Sequence, residues 1–243
     1  MKALLSAALL VAASFAAEPL RWENRHIDEM RPGCDDAKDG CAHAEFTYLE
    51  MVAGPAAARE RINAAVRECL LSRPGDDNKW TPEEYARNFV KDDGTGARLR
   101  LFKSIKVLRS APPFFTIEYS DWAFYGGVHG DGSTIYLNFD AETGERLKVA
   151  SLLREGAVPR LTAIAETHFR QERKLSPTAD LADAGFPFFA GNRFTLTGNV
   201  GILEDGLLFT YNTYEAGGYA QGPTTFELRF AEIRDVLRPG IVP

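Results

Sequence analysis

Apolar side chains fall on every second position in three runs near the middle of the chain. They are Leu99, Leu101, Ile105 and Val107, then Phe115, Ile117 and Tyr119, then Ile135, Leu137 and Phe139. A period of two is the pleat of a strand that buries one face, and a helix cannot use it. Turn chemistry separates or ends the runs: Pro112-Pro113, the glycine-rich Gly126–Gly132, and Asp140-Ala141-Glu142-Thr143-Gly144. Strands joined this way form an antiparallel meander. Helical spacing lies outside it. Ile62, Ala65, Val66, Cys69 and Leu70 recur at helical intervals after Gly54-Pro55. Thr81-Pro82-Glu83-Glu84 supplies a cap, a proline at the first helical position and a returning carboxylate for a helix over Tyr85 to Val90. Pro159 starts a third helix, with Leu161, Ile164, Ala165 and His168 on one face.

Further strands are expected after Ala44 (Phe46, Tyr48, Met51) and around Phe194, Leu207 to Tyr211 and Phe226 to Phe230. Residues 175–192 read as irregular, and a last short helix holds Ile233, Val236 and Leu237. Helices and hairpins are segregated rather than alternating, so the expected class is α+β, antiparallel sheets with helices packed on one side. The reading divides the chain into 1–17, a small front α/β subdomain over 18–97 and a larger, closely associated subdomain over 98–243. The 16 Phe, 8 Tyr and 3 Trp supply enough apolar surface to exclude disorder. A net charge of −6 argues against a nucleic-acid partner, which calls for a basic face.

The first seventeen residues read as an export signal. Met1-Lys2 is a short positive start, Ala3 to Ala13 is apolar or small apart from Ser6, and Ser14-Phe15-Ala16 offers small residues at a cleavage site. The alternative is an N-terminal helix. The apolar stretch is shorter than the roughly 20 residues that span a bilayer. No cysteine stands near the cleavage point for a lipid anchor, and no other stretch reaches transmembrane length. The expectation is a periplasmic or secreted protein. Removing the signal takes one lysine and no acid, leaving the chain one unit more negative. In an oxidising compartment, Cys34 and Cys41, seven residues apart in a polar loop, suit a small disulfide. The competing use is a metal site drawing on Cys34, Cys41, His43 and the loop aspartates. Cys69 falls on an apolar helical stripe and reads as a buried thiol.

Two loops carry the candidate chemistry. In Asp121 to Gly132, four glycines lie within seven residues, and His129 and Asp131 are one residue apart, pointing the same way if the segment is extended. Asp131 can then orient the imidazole. The plainer reading is a wide turn in which His129 bonds to backbone. In Thr210 to Gly222, Tyr211, Tyr214, Tyr219, Glu215 and Gln221 stand among glycines, a mixture that suits recognition of a sugar or a protein. The plainer reading is a long hairpin with half-buried tyrosines. His26 and His43 lack a partner pattern, and His168, on its apolar helical stripe, reads as a boundary core residue. There is no Gly-x-Ser-x-Gly, no His-Glu-x-x-His and no dinucleotide fingerprint, so neither a metal nor a cofactor is expected.

Phe124-Tyr125-Gly126-Gly127-Val128-His129-Gly130, followed by Asn138-Phe139-Asp140, Thr143-Gly144, Leu147 and Leu152-Leu153, resembles the RsiV-like C-terminal domain family. Leu203-Glu204-Asp205-Gly206-Leu207-Leu208-Phe209, Tyr214-Glu215 and Tyr219-Ala220-Gln221-Gly222 continue the resemblance, which spans about 98–238. Residues 41–90 are similar to the small α/β unit that often precedes that domain. The resemblance implies an α+β pair of subdomains and, for most members, no assigned activity. Some members form the outer portion of anti-sigma factors that sense lysozyme, and others accompany peptidoglycan deacetylase domains. This sequence departs from those layouts: it carries no transmembrane or sigma-binding segment and no deacetylase domain, and Val128 stands where alanine is usual. The expectation is a cell-envelope binding protein whose partner is a lysozyme-type muramidase or a peptidoglycan fragment. Tyr125, His129, Tyr211, Tyr214, Glu215, Tyr219 and Gln221 are its expected contacts. The alternative is a cell-wall glycan hydrolase or deacetylase-type enzyme using His129, Asp131 and Glu215.

Overall fold

The computed structural model describes residues 18–35, 41–71, 80–91 and 97–241. The export signal expected over 1–17 lies outside them. The fold is α+β, as the segregated pattern implies. Six strands form one sheet: β1 (Arg21–Met30), β2 (Ala42–Ala53), β3 (Leu99–Arg109), β4 (Phe114–Phe124), β5 (Asp131–Asp140) and the two-residue β6 (Arg146–Leu147). They are ordered as in the sequence. Every neighbouring pair is antiparallel except β2 and β3. Those two are parallel because helices α1 (Ala56–Leu71) and α2 (Pro82–Phe89) lie between them and return the chain to the same end of the sheet. The sheet therefore runs through position 97/98, with Ala42 to Thr47 paired against Leu99 to Ser104.

The meander β3-β4-β5 follows the period-two pattern, with Leu101, Ile105, Phe115, Ile117, Leu137 and Phe139 buried on the face that packs α1 and α2. Helix α2 opens on the expected box: the Glu84 amide donates to Thr81 Oγ1 and the Thr81 amide to the Glu84 carboxylate. Strand β1 was not legible, because Ile27 is its one buried side chain. Cys34 and Cys41 are joined in a disulfide at the start of β2. That bond removes both thiols from the alternative metal site. Cys69 is buried, and burial pushes its thiol up to about 11.

On the opposite side of the meander lies a three-stranded antiparallel sheet, β7 (Val200–Ile202), β8 (Gly206–Tyr211) and β9 (Thr224–Arg229). Helix α3 (Val158–Glu172) covers it through Leu161, Ala165 and Phe169, and α4 (Phe230–Ile233) closes the chain. Phe194 is not in a strand. It joins Phe169, Phe186, Phe189 and Tyr211 in an aromatic cluster that organises the irregular 175–192 stretch. His168 is half-buried at the edge of the helical face, 3.1 Å from Glu232.

The two sheets are stitched by side-chain amides. Asn138 of β5 donates to the Val200 carbonyl (2.7 Å) and accepts from the Ile202 amide (2.8 Å), so its carboxamide acts as one more strand beside β7. Past the short β6, the outer edge of β5 would present unpaired backbone. Asn199 accepts from Tyr136 N and donates to Thr134 O, and Asn212 accepts from Thr134 N and donates to the same carbonyl. Buried or covered backbone groups need such partners. These amides also fix where the segment after β8 meets the start of β5.

Candidate functional site

The two glycine-rich loops meet at the open end of β4 and β5. Gly126 and Gly127 take φ of +85° and +108°, which L side chains rarely adopt. Gly130 and Gly132 are required for another reason. A Cβ on Gly130 would lie 2.2 Å from the Trp122 ring, and one on Gly132 would lie 2.5 Å from the Asp121 carbonyl. The loop thus folds flat over Trp122, whose ring also stacks with Phe102 at 5.7 Å. His129 Nδ1 donates to the Gly130 carbonyl at 2.9 Å, which fixes the tautomer and leaves Nε2 as the acceptor of the neutral ring. Its ring stacks on Tyr219 with centroids 3.9 Å apart and planes 23° from parallel. That stack joins the two loops.

Tyr214 extends the aromatic surface, its ring 6.4 Å from Tyr219. Its backbone φ is +70°, a strained value for a tyrosine. The turn around it is held by Tyr214 N donating to Gly217 O, Glu215 N donating to Asn212 O, and Asn212 N donating to the Glu215 carboxylate. Tyr214 and Tyr219 are exposed, and Val128 at the tip of the first loop is 99% exposed.

Two concavities of about 440 and about 520 Å³ lie on opposite faces of the β4–β5 end and meet around its edge at Asp121, Asp131, Gly132, Ser133, Asn212 and Thr213. Trp122 and Tyr219 line the first, the groove between the two loops, and Tyr85, Lys103 and Tyr125 line the second, on the face that packs α1 and α2. Asp121 Oδ1 accepts from the Ser133 hydroxyl at 2.6 Å. Lys103 is buried, donating to the Cys69 and Leu70 carbonyls at the end of α1 and lying over the Tyr85 ring. Burial pulls its ammonium down to about 8, against the opposing pull of Asp121. The groove therefore combines the Trp122 and Tyr219 rings with the Asn212 amide and the Ser120 and Thr134 hydroxyls, while the Asp121 and Ser133 side chains and the buried Lys103 cation face the second concavity.

Of the expected contacts, His129, Tyr214 and Tyr219 come together at the groove, and Tyr125 and Glu215 line the second concavity. Tyr211 does not. It is 3% exposed, its hydroxyl donates to the Thr195 carbonyl and accepts from the Thr197 amide, and burial raises its phenol far above the usual range. It is a core residue because, as the last residue of β8, it shares the inward phase of Leu207 and Phe209. Gln221 is turned back on its own loop, its side chain against Gly185 and Gly217. No hydrogen bond joins His129, Asp131 and Glu215. His129 bonds to the Gly130 backbone, and Glu215 caps the Asn212 amide. Among the described residues no group of three metal-binding side chains converges, and His43 pairs with Asp28 at 2.8 Å.

Asp121, Trp122 and Asn212 fall inside the two candidate loops but are not among the expected contacts, and Ser133 and Lys103 lie outside both loops. Two of these left a signal. Trp122 follows Thr116, Glu118 and Ser120 on the polar phase of β4, a large ring facing outward. Lys103 sits on the apolar phase of β3, between Leu101 and Ile105.

Residues 150–231 match the model of a family described as a protein of unknown function, DUF3298. No curated protein matches the chain. Two solved structures are similar over nearly all of it. A member of the DUF3298 family from Bacteroides fragilis is 18% identical with a TM-score of 0.71, over 90% of this chain and 94% of that one. A DUF3298 family protein from Pseudomonas aeruginosa is 18% identical with a TM-score of 0.70, over 93% and 97%. At that identity the likeness is one of fold, and it extends to the front strands and helices as well as the matched segment. This chain is thus similar, in sequence over 150–231 and in fold over about nine-tenths of its length, to proteins of the DUF3298 family, whose function is unknown.

Proposed function

We propose that the protein is an exported binding module of the cell envelope that holds peptidoglycan fragments, without catalysis, in the groove between the two loops. The observation that carries this reading is the His129–Tyr219 stack, which with Trp122 sets flat rings beside the Ser120 and Thr134 hydroxyls and the Asn212 amide. Sugar rings offer an apolar face for stacking and hydroxyls for hydrogen bonds, and this lining matches both. The resemblance of the Phe124 to Gly130 run to the RsiV-like domain supports an envelope role, by analogy of family. The Cys34–Cys41 disulfide fits an oxidising compartment, and among the described residues no helix is long and apolar enough to cross a membrane.

A second reading takes a basic muramidase of lysozyme type as the partner. Val128 and Tyr214 favour it, because they project from the loop tips beside Asp131 and Glu215 on an acidic chain. Calorimetric titration with purified muropeptides and with lysozyme separates the two. Glycan binding is expected to fall at least about tenfold in Trp122→Ala and Tyr219→Ala, since one stacked ring contributes roughly 1–3 kcal/mol in comparable ring stacks. Tyr214→Ala and Val128→Asp weaken the muramidase alone. If neither ligand binds, the reading of the groove is wrong. Incubation of muropeptides with wild type and His129→Ala tests the enzymatic alternative, and product formed by wild type alone would support it.

A further inference from the structure

A second cleft, of about 560 Å³, shares no residue with the groove. It opens where β5 and β6 meet the start of α3 and the loop before β7. Leu153, Leu161, Val200 and Phe209, all buried, contribute to its lining, and half-exposed Val158 lines it too. A concavity of this size with a mostly apolar lining is the usual form of a small-molecule site.

The Tyr136 and Asn138 side chains inside it are already engaged. The Tyr136 hydroxyl pairs with Thr210 Oγ1 at 2.8 Å, and the Asn138 carboxamide is held by Val200 and Ile202. A ligand with a polar body would lose its water there and find both of these side chains taken. Charge is distributed differently from the groove. No carboxylate lines the cleft, although the chain is acidic. Arg146 lies over the Phe139 ring, on the face that packs α1, and feels Glu68 and Cys69. Lys148 lines the cleft, and its ammonium makes no hydrogen bond or ion pair with a described residue. The first turn of α3, which contributes Val158 and Leu161, has no side-chain cap, so the field of the helix end adds to that of Lys148.

We propose that this cleft binds a free medium-chain carboxylate, its acyl chain against the buried leucines, Val200 and Phe209 and its carboxylate at Lys148. The test is a titration of decanoate, below its micelle-forming concentration, into protein with ¹³C-labelled methyls. Decanol and decyltrimethylammonium are titrated in parallel. Saturable shifts of the Leu153, Leu161 and Val200 methyls are expected with decanoate, with decanol at least about tenfold weaker and no saturable shift from the cation. Lys148→Gln should weaken decanoate about tenfold and leave decanol unchanged. Gly198 lines the cleft in open space, with no atom within 4 Å of the place a Cβ would take and no positive φ, so Gly198→Phe preserves the fold while filling the cavity. It should abolish the shifts. Absence of saturable shifts with wild type, equal binding of the cation, or wild-type affinity in Gly198→Phe would overturn the proposal.

Discussion

Asparagine carboxamides are the recurrent device of this structure, because one amide presents the donor and acceptor that a sheet edge presents. Asn63 does for Met51 of β2 what Asn138 does for β7 and what Asn199 and Asn212 do for β5. Asn138→Leu keeps the volume but strands the Val200 carbonyl and the Ile202 amide. Each buried group left unsatisfied costs about 1–3 kcal/mol, so the urea midpoint should fall well below that of wild type. An unchanged midpoint would mean that water replaces the amide. Lys103 makes a prediction of opposite sense. Its folded-state pKa of about 8 lies below the ordinary 10.5, so burial disfavours the cation. Below about pH 8 it is charged in both states and the burial cost is fully present. As pH rises from about 8 towards 10.5, the folded form releases its proton first, the unfolded form binds more protons, and stability rises. The stability of wild type relative to Lys103→Met should therefore increase over that window in thermal unfolding. A difference that stays flat with pH would contradict this assignment.

At the scale of elements, the meander and the helix starts were legible because local rules and tertiary packing agree there. Period two lies between turn residues over Leu99 to Phe139, and the Thr81 box opens α2 as written. Thr81→Ala should cost about 1 kcal/mol in chemical denaturation, the usual worth of such a cap. Strand β1 escaped because an edge strand with one buried residue carries no alternation to read. The parallel pairing of β2 with β3 escaped because it depends on where two helices deliver the chain. The site was legible in part. Glycines and tyrosines marked both loops, yet which tyrosine turns outward depends on where β8 stops, and Tyr211 lies inside that limit. Trp122 and Lys103 sit against their strands' phase, a mark visible only once the phase is fixed. The positive φ of Tyr214 is strain kept at a binding loop. Tyr214→Gly should raise thermal stability, by up to about 1 kcal/mol, while removing binding of a protein partner. Lower stability would show that the ring itself holds the turn.

Taken whole, the molecule has two hydrophobic clusters, one between the six-stranded sheet and α1 and α2, the other between the three-stranded sheet and α3. The asparagine stitches, the Arg109 guanidinium on the Leu203 carbonyl, and the packing of Gly201 against the Tyr136 ring connect them. Because β2 pairs directly with β3, the front and back parts should unfold in one transition, with calorimetric and van't Hoff enthalpies equal. Two resolved transitions would place a boundary between them. Reducing the Cys34–Cys41 bond should lower stability by about 2.5 kcal/mol, the loop-closure contribution of so short a loop. The central claim is that the groove at the end of β4 and β5 takes up a glycan. The chain has three tryptophans, and Trp122 alone lines that groove, so its indole N–H resonance is a direct reporter. In a ¹⁵N titration with a purified disaccharide muropeptide, the Trp122 indole and the amides of Gly130 to Thr134 and Asn212 to Tyr219 should shift together and saturate. The Trp22 and Trp80 indoles should stay still. A Trp122 indole unmoved at saturating muropeptide, or shifts confined to other surfaces, would contradict the account.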